Sequence, residues 1–351
     1  MTSTAFLQHL GFALALALLS ALVVRLMIAF PILDHPNHRK AHVRPTPKGG
    51  GVGIVSAFII GMAVLYDVAQ FARMAEGGFV GVILAAIAIA VVALLDDIRD
   101  FRFVVKLAAQ ALAALVALMS GLVVQRLALP WIGVVELGWL GPLLTLFWIV
   151  ACTNAVNFMD GMDGLVGGTM LVVCGGLAYL AVVQNGWFIY AAALILGGGI
   201  AGFLPFNLHP ARIFMGDVGS QFLGFVLAVL GVAAAQLDAT QLSFLLVPLL
   251  IFALLFDTGF TLIRRACRGE RISTPHRTHL YQMAQRSGLG VRTITAVHGG
   301  FVLFHLGLAL LFLSLGPSLK PLVVVPPLLV QLLWLGFVAW RVRRAGISWA
   351  A

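Results

Sequence analysis

Charge is what this sequence lacks: Asp, Glu, Lys and Arg make up only 10% of its 351 residues, while hydrophobic residues make up 61%. Soluble domains carry about 25% charged residues. A water-soluble fold is excluded for want of polar cover, and a disordered chain is excluded because it would carry far less apolar surface. Cysteine is scarce as well. Cys152, Cys174 and Cys267 are odd in number and two lie inside apolar runs, so neither a disulfide framework nor a cysteine metal cluster is expected. Basic residues are missing ahead of the first apolar run, and Arg25 lies near its far end, the reverse of a cleaved signal peptide. That segment reads as a retained helix with its N-terminus outside.

What is present is a series of eleven apolar runs, at 5–32, 51–66, 79–95, 104–119, 138–156, 165–183, 187–206, 219–236, 242–263, 295–315 and 321–340. A helix needs about 20 apolar residues to cross the hydrocarbon, where its backbone hydrogen bonds must close internally. The runs therefore predict an all-α, polytopic integral membrane protein, N-out and C-in, forming a single unit over residues 1–351. The second run is short enough to be tilted or partly re-entrant. Of the 22 Lys and Arg residues, 18 fall at the inner loops 33–50, 96–103, 157–164, 207–218 and 264–292, at Lys106 just inside the fourth run, or in the C-terminal tail. Only Arg73, Arg126 and Lys320 fall outside, and Arg25 lies within the first run. This asymmetry sets the orientation and points to head groups or phosphates as partners, not nucleic acid. No internal repeat is visible, which weakens a transporter built from inverted halves. Gly197, Gly198, Gly199 and Gly202 suggest close helix packing.

The outer loops are short and chemically plain, so the chemistry is expected on the cytoplasmic side. Asp96, Asp97 and Asp100 end the third run, with Asp96 and Asp100 on one face if the helix continues. Three carboxylates at a membrane edge call for a cation or a proton, although Arg99, Arg102 and Lys106 could balance a merely solvated helix end. Asn154, Asn157, Asp160 and Asp163 recur at every third position, an amide and acid face suited to Mg²⁺, with Gly161 and Gly164 permitting close approach. Asp217 lies between Gly216 and Gly219 at the start of the next run, as an ordinary helix cap or as a metal ligand beside phosphate. His276 and His279 stand among the arginines of the fifth inner loop. His38, Arg39, Lys40, His42, Arg44 and Lys48 precede Gly49, Gly50 and Gly51, and both loops read as anion cradles. Zinc would need more His or Cys partners than these loops supply. His298 and His305 share a face within the tenth run and read as packing or a polar network. Asp257 is either a supporting residue of the site or the partner of an inner-loop arginine.

Four motifs in order, Lys40-Ala-His42-Val-Arg-Pro-Thr-Pro-Lys-Gly-Gly-Gly, Asp96-Asp97, Asn154-Ala-Val-Asn157-Phe-Met-Asp160-Gly-Met-Asp163-Gly and Phe214-Met-Gly-Asp217-Val-Gly-Ser, resemble the polyprenyl-phosphate N-acetylhexosamine-1-phosphate transferases, of glycosyltransferase family 4 type. That family includes phospho-N-acetylmuramoyl-pentapeptide transferase. The resemblance runs from about His35 to Gln282. It implies transfer of a sugar 1-phosphate from a UDP-N-acetyl sugar to undecaprenyl phosphate with release of UMP, at the bacterial inner membrane, with membrane lipid and a second copy of the chain as further partners. It implies Mg²⁺, or Mn²⁺, on Asn157 and Asp217; Asp96 and Asp97 at the lipid phosphate; and His276 and His279 at the sugar diphosphate. Lys48, Lys106, Asn154, Asp160, Asp163, Asn207, Phe214 and Arg277 form the expected substrate-binding set, with Asp163, Asn207 and Phe214 matching positions that line the nucleotide pocket. Direct attack and a covalent intermediate both stay open. The fifth inner loop reads His276-Arg277-Thr278-His279 where better-known members have three histidines. It is similar in this to the O-antigen initiating branch that uses N-acetylated aminodeoxyhexoses. The rival readings are a transporter or ion channel with an inner acidic ion site, and a noncatalytic lipid-binding scaffold.

Overall fold

The computed structural model describes residues 3–34, 45–68, 76–129, 132–236, 242–271, 274, 276–316 and 318–349. The apolar runs fold in order as α1 (Ser3–Ala29), α2 (Gly51–Val68), α3 (Glu76–Arg99), α4 (Phe103–Met119), α5 (Leu140–Met159), α6 (Leu165–Val183), α7 (Trp187–Asn207) and α8 (Gly216–Ala234). They continue as α9 (Leu246–Leu250) with α10 (Phe252–Cys267), then α12 (Val291–Ser314) and α13 (Val325–Arg344), with the short α11 (Leu280–Arg286) on the fifth inner loop. Nine helical stretches among the described residues are long and apolar enough to cross a membrane, and α4 is a shorter apolar helix of the same series. The second run is a full helix of 18 residues. The ninth is interrupted at Ile251. Pro248, which lacks an N–H and is accommodated near a helix start, lies in the short first piece.

Among the described residues, two antiparallel hairpins interrupt the helical pattern. β1 (Ile32–Asp34) pairs with β2 (Thr46–Lys48), so the two ends of the first inner loop are tied together, and β3 (Arg126–Leu129) pairs with β4 (Gly133–Glu136) between α4 and α5. The histidine- and arginine-bearing stretch of the first inner loop, including His38, Lys40 and His42, lies outside the described residues.

α8 is the axis of the molecule. In its spanning stretch 94% of the residues are buried, against 17% for α1, and it packs on α2, α3 and α5. α1 instead exposes Leu7, Leu10, Leu14, Leu18, Leu22 and Leu26 along one side, the side left for acyl chains. Its other side lies against α7, where Gly202 permits the contact: a Cβ there would fall 2.1 Å from the Ala17 carbonyl oxygen. The small residues of α7 thus act in packing, as expected.

The C-terminal ends of α3, α5 and α7 and the starts of α4 and α8 meet at one end of the bundle, where the polar motifs gather. α3 stops at Arg99, and Asp100 turns the chain in the left-handed region at φ 53°. Asp96 and Asp100 therefore do not share a continuing helix face. The three-residue spacing of the next motif holds as a helix face only for Asn154 and Asn157. α5 ends at Met159, Asp160 is its C-cap, and Asp163 lies in the turn before α6.

Candidate active site

A cavity of about 730 Å³ opens where these ends meet. Its wall includes Lys48, Asp96, Asp97, Asp100, Lys106, Asn157, Asp160, Asp163, Asn207, Phe214, Asp217 and Arg277. Residues from four motifs far apart in sequence are thereby brought into one space.

Lys106 is the central cation. Its Nζ lies 2.9 Å from Asp96 Oδ2 and 3.2 Å from Asp217 Oδ2, joining α3, α4 and α8. Asp96 Oδ1 also accepts the Phe101 backbone N–H at 2.6 Å, so both of its oxygens are held. Asp97 faces Lys48 Nζ at 3.6 Å, while its Oδ2 accepts the Val218 N–H at 3.1 Å. That bond satisfies one of the free N–H groups in the first turn of α8, a capping role supplied from another helix. Gly216 makes the approach possible. It sits at φ 76°, and a Cβ there would lie 2.6 Å from Asp97 Oδ2. Asp217 is inside the first turn of α8 and does not cap it.

Asn157 Nδ2 donates to Asp217 Oδ1 at 3.0 Å and to Ser220 Oγ at 2.9 Å. Beneath this pair runs a polar ladder absent from the sequence reading: Gln221 donates to Asp217, Gln110 to Gln221, and Asn154 to Gln110. Asn154 thus stands one layer below the cavity wall, supporting it. Gln110 and Gln221 lie inside apolar runs, where a buried amide was the signal that could have disclosed them.

On the opposite wall, Asp163 Oδ2 contacts His209 Nδ1 at 2.7 Å and accepts the Ala211 N–H at 3.1 Å. His209 also lines the cavity and carried no motif of its own. Asn207 is buried and holds the loops: its Oδ1 accepts from Gly164 N and its Nδ2 donates to Ile213 O, both at 3.0 Å. Phe214 is fixed through its backbone, donating to Pro47 O and accepting from Gly50 N, which joins β2 to the segment before α8. Asp160 is half-buried, and no described donor reaches its carboxylate. Burial, with the negative fields of Asp217, Asp97 and Asp163, pushes its carboxyl well above the usual carboxylate range.

The two histidines are set back from the cavity. His279 is buried, with Nδ1 at 3.1 Å from Asp257 Oδ1, and its ring stacks on His276 at 4.9 Å between centroids. Asp257 also accepts the backbone N–H groups of Leu280 and Tyr281, so it fixes the start of α11, and no inner-loop arginine among the described residues pairs with it. Burial raises the Tyr281 phenol, which donates to the Phe158 carbonyl and ties α11 to the end of α5. From this frame Arg277 and Gln282 reach the cavity wall. His298 and His305 are buried in the α12 contacts, as expected for packing.

Seven aspartates, including Asp34, line the cavity with three Lys or Arg side chains, Lys48, Lys106 and Arg277, among the described residues. An anionic ligand entering such a space would be helped by a further cation. No group of three His, Cys, Asp or Glu side chains is arranged to hold a metal among the described residues. Mg²⁺, however, commonly takes one or two protein ligands and completes its shell with water and phosphate. Asn157 and Asp217 fit that pattern: they are oxygen-bearing neighbours, and no described donor occupies the Asn157 amide oxygen.

A profile of glycosyl transferase family 4 matches residues 79–235, which carry most of this cavity. A Bacillus subtilis (strain 168) protein, a probable undecaprenyl-phosphate N-acetylglucosaminyl 1-phosphate transferase, is 31% identical over 283 residues, covering 80% of this chain and 76% of its own length. A decaprenyl-phosphate N-acetylglucosaminephosphotransferase of Mycobacterium tuberculosis (strain CDC 1551 / Oshkosh) is 30% identical over 290 residues, 75% of this chain and 71% of its own. A phospho-N-acetylmuramoyl-pentapeptide-transferase of Leuconostoc mesenteroides is 36% identical over 199 residues, 52% of this chain and 61% of its own. With likeness reaching across most of both chains and through the cavity, this protein belongs to glycosyl transferase family 4.

Proposed function

We propose that the protein transfers a sugar 1-phosphate from a UDP-N-acetyl sugar to undecaprenyl phosphate at the cytoplasmic face of the bacterial inner membrane, releasing UMP and starting a cell-surface polysaccharide. The observation that carries the reading is one cavity at the inner end of the bundle, sized for a small-molecule ligand and lined by aspartates under two lysines. Transporters bind their cargo near the bilayer midplane. Here the polar wall is at the helix ends, which disfavours the transport reading.

In this reaction an oxygen of the lipid phosphate attacks the sugar-bearing phosphorus, a new P–O bond forms, and the bridging P–O bond to UMP breaks. Mg²⁺ or Mn²⁺, held by Asp217 and Asn157, supplies neutralisation of phosphate charge when bound. Lys106 and Lys48 draw anionic phosphate toward Asp96 and Asp97 and hold those carboxylates in place. Asp96 is the candidate to take a proton from the lipid phosphate, by exchanging the Lys106 contact at its Oδ2. Asp163 and His209, with Phe214, supply the wall for the nucleoside, and Arg277 a cation for the diphosphate. His276 and His279 act from behind this wall by positioning Arg277.

The test is transfer of radiolabelled sugar phosphate to undecaprenyl phosphate by purified protein over a panel of UDP-sugars, with Mg²⁺ titrated. Asp217→Ala and Asn157→Ala are expected to lose most activity at limiting metal, by at least the about 10–100-fold that removal of a metal ligand's supporting partner produces. Full activity in excess chelator would sink the metal assignment, and failure with every UDP-sugar would sink the transferase reading.

A further inference from the structure

Phe206, near the inner end of α7, carries two guanidinium groups: Arg25 of α1 lies 5.9 Å and Arg212 of the α7–α8 loop 4.9 Å from its ring centroid. Both arginines are exposed. Among the described residues no carboxylate pairs with either side chain, and no acceptor hydrogen-bonds to one. Arg25 is flanked along α1 by Leu22 and Leu26, exposed by 57% and 52%, and Phe30 beyond it is exposed by 78%. Apolar side chains so exposed on a spanning helix face acyl chains, so this pair of cations sits at the lipid boundary.

An aromatic face attracts each cation but neutralises neither. Two guanidinium groups drawn to one ring at a lipid boundary need an anion, and the described residues supply none there. Phosphate is the anion the inner leaflet offers, and a guanidinium can grip it through two parallel N–H bonds. We propose that Arg25 and Arg212 form a head-group site for an anionic phospholipid whose phosphodiester bridges the two side chains. The site is distinct from the cavity, whose wall includes neither arginine. It is coupled to the cavity through the backbone: Arg212 N donates to Phe206 O at 2.8 Å, and the same loop carries His209, Ala211 and Phe214 into the cavity wall. A lipid held there braces that loop from outside.

The experiment is hydrogen–deuterium exchange of residues 206–215 in nanodiscs of phosphatidylcholine alone or with about a third phosphatidylglycerol. Exchange is expected to slow about tenfold in the anionic bilayer, the order anticipated for two arginines at an anionic surface. Arg25→Gln with Arg212→Gln removes that difference, while Arg126→Gln on the other side of the membrane keeps it. Arg25→Lys with Arg212→Lys, which keeps the charge without the fork, retains a reduced difference and serves if the neutral pair does not fold. Equal exchange in the two bilayers overturns the proposal, as does a full difference in the Gln pair. Slowing in phosphatidylcholine by added polyprenyl phosphate, but not by phosphatidylglycerol, overturns it in favour of the acceptor lipid. Because the readout needs no turnover, it stands or falls apart from the transferase reading.

Discussion

Asp160 is a cavity acid whose state is set largely by groups distant in sequence. The motif spacing identified it as polar and inward, but three other acids converge on it only after folding. Its carboxyl is raised above the ordinary value, so the folded protein holds a proton there that the unfolded chain has already released. Stability therefore falls as pH rises through the interval between the ordinary and raised values, then levels off. Asp160→Asn removes this penalty. In detergent with chelator, the variant is expected to melt with wild type at the acidic end and increasingly above it toward neutral pH; a constant difference would contradict the raised carboxyl. The catalytic and metal candidates Asp96, Asp97, Asn157 and Asp217 were legible because acids and amides are costly at a membrane edge. His209 and Gln110 were not, because each reaches the site through partners more than 40 positions away, and Gln221, which donates to nearby Asp217, was hidden inside an apolar run.

At the scale of elements, the apolar runs gave the helices in order because each had to cross the same slab. The departures occur where local chemistry overrides hydropathy: Asp100 turning out of α3, the break at Ile251 near Pro248, and two hairpins too short to leave a periodic trace. Helix contacts were legible only where glycine marked them. Gly202→Ala would drive a methyl into the Ala17 carbonyl of α1, a rigid backbone atom, whereas Gly175→Ala on α6 meets nothing within 4 Å. The first substitution is expected to destabilise by about 1–3 kcal/mol, as overpacking does. The second should be neutral or slightly stabilising, since alanine favours helix over glycine. Thermal unfolding of the two variants in one detergent checks the contrast, and equal midpoints would refute it.

For the whole molecule, the basic asymmetry predicts the cytoplasmic side, and the structure gathers the inner loops at one end of the bundle. In a Cys267→Ser background, Ile132→Cys on the β3–β4 hairpin is expected to react with an impermeant maleimide in intact cells. Ala345→Cys, after α13, should react only after permeabilisation. The reverse pattern would invert the orientation and remove the cytoplasmic cavity.

The enclosure of α8 also bears on how the chain is made. Its neighbours α2, α3 and α5 emerge from the ribosome before it, and α9 after it. Until residues 216–234 arrive, those earlier helices surround a place still unfilled, and Asp97, Lys106 and Asn157 lack the partners that α8 brings. Insertion of that helix fills the centre of the core and supplies the Asp217 side of the cavity, whose wall Arg277 and Gln282 join later. A stall just before α8 would leave a membrane-embedded intermediate with polar groups unmet, the kind of species quality-control proteases recognise.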